Sequence, residues 1–401
     1  MNLVFALITG YLIGSILPAY FLTLWLTGVD IRTVGTRHAG TTNVKRNVGL
    51  WPAVITAAYD TTKGIVAVML ATNLFKLPPH ISHLSGLAAV AGHVFPFYLN
   101  FKGGKGVATS TGLLIVLLGR LAFFHWHPSI LISDLTFMIF FVLTIYFITK
   151  DEDFLALCVL PMLSSLLVVR MPFTWELWYT LIIAGYIFTV SANNMKELGI
   201  LKKKDENLRL WRVFIRPAAM AFPVILLATS REFAITLSGI VLALSLLADV
   251  VRISWKKAED VMMKRFFHDF AIYKQKERKR ISSITTFLMG VFFSFLLFPV
   301  NVAVTSISIL VFGDMMAKII GISYGKKPLF NKTVEGMLGF ITAALAVVYL
   351  MHSLEIVPLV PAIFAAIAGS IMEILPFPVD DNLSVPITSG AILELVKLLQ
   401  F

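Results

Sequence analysis

Apolar runs long enough to cross a membrane recur along the whole chain of 401 residues. A bilayer core takes ~20 mostly apolar residues per helix, so each run predicts a membrane-spanning helix, the shortest ones being tilted or re-entrant. The runs cover residues 3–27, 50–75, 84–99, 107–124, 130–149, 154–170 and 175–193 in the first half, and 217–230, 233–251, 284–298, 300–320, 336–354, 356–375 and 385–401 in the second. We therefore predict an all-α, polytopic integral membrane protein with about 13–14 transmembrane helices in two helical bundles.

The composition excludes a soluble globular fold and a disordered chain. Hydrophobic residues make up 58% and charged residues only 14% of the sequence, whereas about a quarter of the residues in a soluble domain are charged. The formal net charge is +11, but the basic residues stand in short clusters between the apolar runs. That pattern favours contact with membrane lipids or phosphorylated substrates over nucleic acid.

The basic clusters also predict the orientation of the chain. They follow the first, third, fifth and seventh apolar runs, and lysine and arginine are enriched in cytoplasmic loops. With the N-terminus outside, every one of these clusters faces the cytoplasm. We expect a multi-pass protein of the cell (inner) membrane whose active sites face the cytoplasm.

Two long polar stretches interrupt the apolar runs. The stretch Met195–Leu210 follows the seventh run, so we place the boundary between two domains there, with domains at residues 1–200 and 210–401. The stretch Arg252–Ser283 mixes charges with aromatic residues, which predicts a helix lying on the membrane surface. No internal repeat relates the two halves.

Three polar segments in the first half have the residue types that bind phosphate. Glycines let the backbone approach an anion, neutral hydroxyl and amide groups donate hydrogen bonds, and lysine and arginine supply charge. The segments span residues 30–46, 60–64 and 92–106. Their candidate substrate-binding residues are Thr36, Thr42, Lys45, Arg46, Lys63, Lys102, Gly103 and Gly104, and the seventh run ends with Asn194 and Lys196. We interpret Asn43, His93 and Lys105 as catalytic, with His93 the candidate proton shuttle or, alternatively, a structural histidine.

The first 200 residues carry a set of motifs that resembles the acyl-phosphate-dependent glycerol-3-phosphate acyltransferases of bacteria. These motifs include Gly40-x-Thr42-Asn43, Asp60-x-x-Lys63-Gly64 and Phe101-Lys-Gly-Gly-Lys-Gly106. The resemblance implies a seven-helix membrane fold that transfers an acyl group from acyl phosphate to glycerol 3-phosphate, giving lysophosphatidate and inorganic phosphate. Because acyl phosphate is already activated, orientation and charge neutralisation can supply much of the rate, and no cofactor is expected.

A second polar cluster lies in the second half, where carboxylates stand beside glycines and lysines. Such residues suit a Mg²⁺–nucleotide site, in which oxygen ligands hold the cation and lysines hold the phosphates. We interpret Asp314 as catalytic, and Asp314 and Asp381 as candidate Mg²⁺ ligands. The candidate nucleotide-binding residues are Gly313, Lys326, Lys332, Thr333, Glu335 and Gly336.

Residues 210–401 resemble the CTP-dependent lipid kinases, a group that includes dolichol, phytol and diacylglycerol kinases. The resemblance rests on the order of several motifs, among them Gly313-Asp314-x-x-Ala317, Lys332-Thr333-x-Glu335-Gly336 and Asp381-Asn382-x-x-x-Pro386. It implies that CTP and Mg²⁺ bind to the aspartates and the Lys332–Gly336 segment, with a lipid alcohol as the phosphate acceptor. The leading hypothesis is a fused enzyme of phospholipid biosynthesis.

Two alternatives stay open. The third motif of the acyltransferase family is reduced to the segment Ser191–Glu197, and Arg37 and His38 stand where that family usually has Gly and Asn. These departures motivate the hypothesis that only the kinase half is active and that the first half is a degenerate lipid-holding domain. A non-enzymatic transporter or scaffold is the other alternative, although transporters commonly place polar breaks at the membrane midplane in repeated halves.

Overall fold

A computed structural model describes residues 1–197, 216–255 and 280–399, and helices account for most of them. The predicted surface helix within Arg252–Ser283 lies mainly outside the described residues, and so does most of the predicted boundary stretch Met195–Leu210. Lys276–Arg278, a further segment of the resemblance to the lipid kinases, also lies outside them. The first half contains α1 Asn2–Ser15, α2 Pro18–Thr27, α3 Thr41–Asn47, α4 Leu50–Asn73, α5 Pro79–Val94, α6 Val107–His125, α7 Pro128–Thr149, α8 Glu152–Arg170 and α9 Trp175–Glu197. The second half contains α10 Ala221–Ala228, α11 Arg231–Ser254, α12 Ser283–Leu297, α13 Val300–Ser323, α14 Val334–Ser353, α15 Leu359–Ile374 and α16 Asp381–Leu398.

The prediction of a polytopic helical membrane protein is confirmed. Among the described residues, eight candidate spans are long and apolar enough to cross a bilayer, and three shorter apolar helices accompany them. The eight are Asn2–Thr27, Leu50–Asn73, Val107–His125, Pro128–Thr149, Glu152–Arg170, Arg231–Ser254, Val300–Ser323 and Val334–Ser353. Each apolar run of the sequence coincides with a described helix or helix pair. One short hairpin departs from the all-helical pattern, with strands β1 Pro328–Leu329 and β2 Lys332–Thr333 paired antiparallel.

The first apolar run is broken, where the sequence predicted one continuous helix. Helix α1 ends at Ser15, Ile16 and Leu17 are extended, and α2 begins at Pro18. Proline disfavours helical backbone in the residue before it and lacks an N–H for the preceding turn, so the break falls next to Pro18. The break leaves carbonyl groups near the end of α1 available to partners other than their own helix.

The chain divides into two compact units. The first unit comprises residues 1–139 and 152–198, and the second comprises residues 140–151 and 199–401.

Glycines allow close helix packing in the first unit. A Cβ atom at Gly10, Gly14 or Gly92 would overlap backbone carbonyl oxygens on the facing helix, so α1 and α5 approach closely along this stripe. Small residues at helix interfaces are typical of membrane bundles, where close backbone approach supplies the packing energy. This contact places the end of α5, which carries His93, beside the break after α1.

Helices α13 and α14 form the centre of the second unit. In the most apolar window of each helix, 78% of the residues of α13 and 61% of those of α14 are buried. Both shares are far larger than in the other candidate spans. Gly313 of α13 packs against the ring of Phe340 on α14, where a Cβ atom would clash with that ring. The hairpin joins these two helices and holds Lys332 and Thr333 at the start of α14.

Candidate active site

Asn43 organises the loop that follows the second helix. Its side chain is buried, and Oδ1 accepts from the backbone N–H of Thr36 at 3.0 Å. Its amide nitrogen donates to the carbonyls of Ile31, Val34 and His38 at 2.9–3.0 Å. The capacity of this amide is therefore used by the protein itself. The geometry favours Asn43 as the residue that shapes the loop, and its catalytic role stays a prediction.

Arg32 ties this loop to the glycine-rich segment further along the chain. It pairs with Asp30, at 2.7 Å between Nη2 and Oδ2, and its Nη1 donates to the carbonyls of Leu99 and Lys102 at 2.9 and 3.3 Å. The hydrogen bond from Arg32 lowers the pKa of the Asp30 carboxyl. Neither residue is in the predicted site set. The sequence indicates this pair only by two opposite charges, two residues apart, shortly after the end of α2.

Lys63, Asp60 and His93 form a buried group. Lys63 Nζ lies 2.7 Å from Asp60 Oδ1, 2.8 Å from His93 Nδ1 and 3.2 Å from the carbonyl oxygen of Ile16. The three side chains are each at most 3% exposed. Two helices and the break after α1 supply the partners, since Ile16 is one of the residues that the proline frees from the helix.

With Lys63 charged, this geometry favours a neutral His93 that carries its proton on Nε2. An ammonium group has three N–H donors and no acceptor, and Lys63 Nζ has three partners at hydrogen-bond distance. His93 Nδ1 is therefore an acceptor, so the neutral ring carries its proton on Nε2. We assign this tautomer from the hydrogen-bond network. Lys63, predicted to bind substrate, is enclosed by protein groups, and Asp60 was not in the predicted site set.

The glycine-rich loop covers the end of α5. The N–H groups of Gly103 and Gly104 donate to the carbonyls of Val94 and His93 at 3.0 and 3.1 Å. A Cβ atom at Gly104 would overlap His93 Nε2, so the ring faces the loop backbone directly. Glycine at this position lets the loop backbone approach the Nε2–H group.

Lys105 connects the glycine-rich loop to the end of α9. Its ammonium group hydrogen-bonds Asn194 Oδ1 and lies 3.9 Å from Glu197 Oε2. The amide nitrogen of Asn194 in turn donates to Asp153 Oδ1 at 2.9 Å. Burial first, and the charge of Lys105 second, lower the pKa of the His38 imidazole.

The other predicted substrate-binding side chains are open to solvent. Within the described residues they are exposed and have no side-chain hydrogen bond. They are Thr36, Thr42, Lys45, Arg46, Lys102 and Lys196. The first unit thus combines a buried set that holds His93, the loop and Lys105 in place with an exposed, mostly basic set that can bind anions.

In the second unit, the hairpin brings glycines against Thr333. A Cβ atom at Gly325 or Gly336 would meet Thr333 Oγ1 at 3.0 Å, and one at Gly321 would meet it at 3.2 Å. Thr333 caps α14 by accepting from the N–H of Gly336 at 3.1 Å. Glu335 Oε2 accepts from the backbone N–H groups of Lys326 and Lys327 at 3.0 and 3.2 Å.

The candidate metal ligands of the second unit are each paired with a lysine. Asp314 Oδ2 lies 2.9 Å from Lys318 Nζ, and Asp381 Oδ2 lies 2.8 Å from Lys332 Nζ. Lys332 also lies 2.8 Å from Glu373 Oε1, a residue that the sequence analysis missed. No three His, Cys, Asp or Glu side chains of the described ranges come together as a metal-binding group. A Mg²⁺ ion here would need phosphate oxygens and water for the rest of its octahedron.

Comparison with known proteins finds matches for the first half of the chain. Residues 4–199 match the family model described as glycerol-3-phosphate acyltransferase. The first half of the chain matches an acyltransferase family.

A glycerol-3-phosphate acyltransferase of Synechococcus sp. (strain CC9902) is 46% identical over 108 residues, covering 27% of this chain and 54% of that protein. The enzyme of Myxococcus xanthus (strain DK1622) is 45% identical over 113 residues, covering 28% and 59%. That of Thermotoga petrophila is 38% identical over 139 residues, covering 35% and 66%. The chain thus spans from about half to 66% of the length of these curated relatives.

Among solved structures, the chain is similar to the crystal structure of PlsY (YgiH), an integral membrane glycerol 3-phosphate acyltransferase, in its glycerol 3-phosphate form. The two are 28% identical, with 49% of this chain and 92% of that one covered and a TM-score of 0.39.

Proposed function

We propose that the first unit transfers an acyl group from acyl phosphate to glycerol 3-phosphate and releases lysophosphatidate and inorganic phosphate. One observation carries the proposal. The glycine-rich loop, His93 and Lys105 meet at one place, next to exposed basic side chains, in the part of the chain that matches the acyltransferase family. Two phosphate-bearing substrates need cationic and N–H donors close together, and this arrangement supplies both.

The tautomer of His93 defines its role in the proposed reaction. With the proton on Nε2, the ring is a hydrogen-bond donor that faces the glycine-rich loop, and it does not remove a proton. The hydroxyl oxygen of glycerol 3-phosphate attacks the acyl carbon, and the bond from that carbon to the phosphate oxygen breaks. The hydroxyl proton leaves on the departing phosphate, whose negatively charged oxygens accept it. The N–H of His93 and the charge of Lys105 stabilise the negative oxygens.

The test is acyl transfer by the purified protein in lipid nanodiscs, with acyl phosphate and labelled glycerol 3-phosphate. Lysophosphatidate should form, and Lys105→Met should lower kcat/KM by roughly 10²–10³-fold, the usual effect of removing one preorganised donor. Lys76→Met is the matched control, because Lys76 is exposed on the loop between α4 and α5. Equal activity of all three proteins would contradict the assignment.

We further propose that the second unit phosphorylates a lipid alcohol with CTP and Mg²⁺. The proposal is supported by the motif order of residues 210–401 and by the approach of three glycines to Thr333 at the start of α14. The N–H groups of Lys326 and Lys327 already bind one carboxylate, Glu335, so this turn is shaped to receive an anion. We also propose an inner-membrane location with both sites facing the cytoplasm.

Omitting each substrate in turn separates these proposals. Mass spectrometry of the products should show lysophosphatidate only when acyl phosphate and glycerol 3-phosphate are both present. A phosphorylated lipid alcohol should appear only with CTP and Mg²⁺. Phosphorylation without lysophosphatidate would favour the degenerate first half, and absence of both products would remove both proposals.

A further inference from the structure

The second unit contains an apolar groove that no proposed role has used. Its walls come from Phe293 and Leu297 of α12, Met372 at the end of α15, and Leu383 and Ile387 of α16. The cavity has a volume of about 470 Å³, inside the range of ~300–1,000 Å³ that is typical of ligand pockets. An apolar groove of this size in a membrane protein is suited to a hydrocarbon chain.

Two hydroxyl-bearing residues of α16, Ser384 and Thr388, also line the groove. Ser384 is 8% exposed, and its Oγ atom has no hydrogen-bond partner. Asp381 precedes Ser384 by three positions and Thr388 follows it by four, so the three lie along one face of the helix. Asp381 lies outside the lining, one turn before Ser384, at the polar N-terminal end of α16.

A carboxylate-rich cluster stands at this polar end. Lys332 Nζ lies 2.8 Å from both Asp381 Oδ2 and Glu373 Oε1. Glu373 is 4% exposed, and its second oxygen, Oε2, has no partner. A buried acceptor without a donor costs free energy, so a group that donates a hydrogen bond would bind there favourably.

The unpartnered oxygen of Glu373 indicates the kind of head group. Asp381 and Glu373 both pair with Lys332. An uncharged hydroxyl can donate a hydrogen bond to the buried, unpartnered Glu373 Oε2.

We propose that the groove binds the hydrocarbon chain of a lipid alcohol, with its hydroxyl at Ser384 and the Lys332–Glu373–Asp381 cluster. This inference rests on the proposed kinase function, because it assigns the acceptor site of that reaction. Diacylglycerol and a polyprenol share the required chemistry, a chain with one free hydroxyl.

Photoaffinity labelling tests the groove without CTP. The full-length protein is placed in phosphatidylcholine nanodiscs with a diazirine-bearing diacylglycerol in one arm and a diazirine-bearing polyprenol in the other. Peptide mapping should find the label on residues 283–297 or 381–398 in one arm or both. Unlabelled alcohol should compete. Labelling spread evenly over lipid-exposed helices would overturn the proposal.

Variants sharpen the test. Ile387→Trp fills the groove and should lower labelling at least tenfold, whereas Phe364→Trp changes an exposed side chain of α15 outside it and should not. Ser384→Ala removes only a hydroxyl and should weaken competition by the alcohol roughly threefold to tenfold. Ser384→Ala keeps the test valid if Ile387→Trp fails to fold. Labelling that is unchanged in both groove variants would refute the site.

Failure of the groove and failure of the kinase give different results. Specific labelling without phosphate transfer from CTP would leave the binding site and remove the kinase reaction. Phosphate transfer whose KM for the alcohol is unchanged in Ile387→Trp and Ser384→Ala would keep the kinase and remove this groove as its acceptor site.

Discussion

Replacing Lys63 by Met removes the centre of the buried group in the first unit. Methionine keeps most of the length and apolar bulk of lysine but has no charge and no N–H donor. The Asp60 carboxylate, 1% exposed, would then lose its cation, and His93 Nδ1 and the Ile16 carbonyl would lose their donor. The variant therefore tests whether the Lys63 ammonium group fixes the Nε2–H form of His93.

The expected destabilisation is large. Removing one partner of a buried ion pair costs ~3–5 kcal/mol, because the remaining charge stays buried without compensation. At 1.4 kcal/mol per tenfold, this is roughly two to three and a half powers of ten in the unfolding equilibrium. The protein can reduce the cost by protonating His93, whose Nδ1 lies 3.4 Å from Asp60 Oδ1. That response replaces the neutral tautomer with a cation.

Thermal unfolding and acyl-transfer rates in nanodiscs measure both effects. We expect Lys63→Met to lower the unfolding midpoint and to reduce kcat at least tenfold. The double variant Asp60→Leu/Lys63→Met removes both charges, so it should regain much of the stability but not the activity. A Lys63→Met protein with wild-type stability and kcat would refute the argument for a buried, fully hydrogen-bonded trio.

Three further outcomes follow from the first unit. Gly104→Ala should reduce acyl transfer at least tenfold because its Cβ atom would overlap His93 Nε2, while Gly119→Ala on α6, where a Cβ atom meets nothing within 4 Å, should leave the rate unchanged. The pKa of His38 is lowered in the folded state, so just below pH ~6.5 the unfolded chain binds this proton and the folded chain does not. Acidification through this range therefore lowers the stability, and His38→Gln should make that fall smaller in unfolding measurements. The pKa of Asp30 is lowered by Arg32, so this pair stabilises the fold above pH ~4 and loses its effect as the pH falls further. Asp30→Asn should abolish this pH dependence of the stability in unfolding measurements.

The positions of the helices could be predicted from the sequence because a bilayer sets a minimum apolar length. Each predicted apolar run coincides with a described helix or helix pair. Residues 50–75, for example, coincide with α4, and residues 336–354 coincide with α14. The break at Ile16 and Leu17 was missed, although Pro18 was visible, because the apolar character continues across it. A hydropathy profile reports how apolar a segment is, and it does not show where a backbone hydrogen bond is lost.

The partners of the site residues were harder to predict than the residues themselves. The spacing of Asp60 and Lys63 predicts a pair on one helix face, but His93 joins them from 30 residues away. The contact of Lys105 with Asn194 likewise joins segments 89 residues apart. Glu373 was missed because it stands near the end of an apolar run, where a single carboxylate is easily read as a helix terminus.

The cost of burying charge separates two kinds of basic residue in the first unit. Lys63 is enclosed, so its charge must be balanced by permanent partners, and those partners use all three of its donors. It therefore cannot hold a phosphate that must arrive and leave in every cycle. Lys102 is exposed, so its donors exchange with water at little cost and can exchange with a substrate as well. On this basis we propose that the buried set positions His93 and that the exposed set binds the phosphates that turn over.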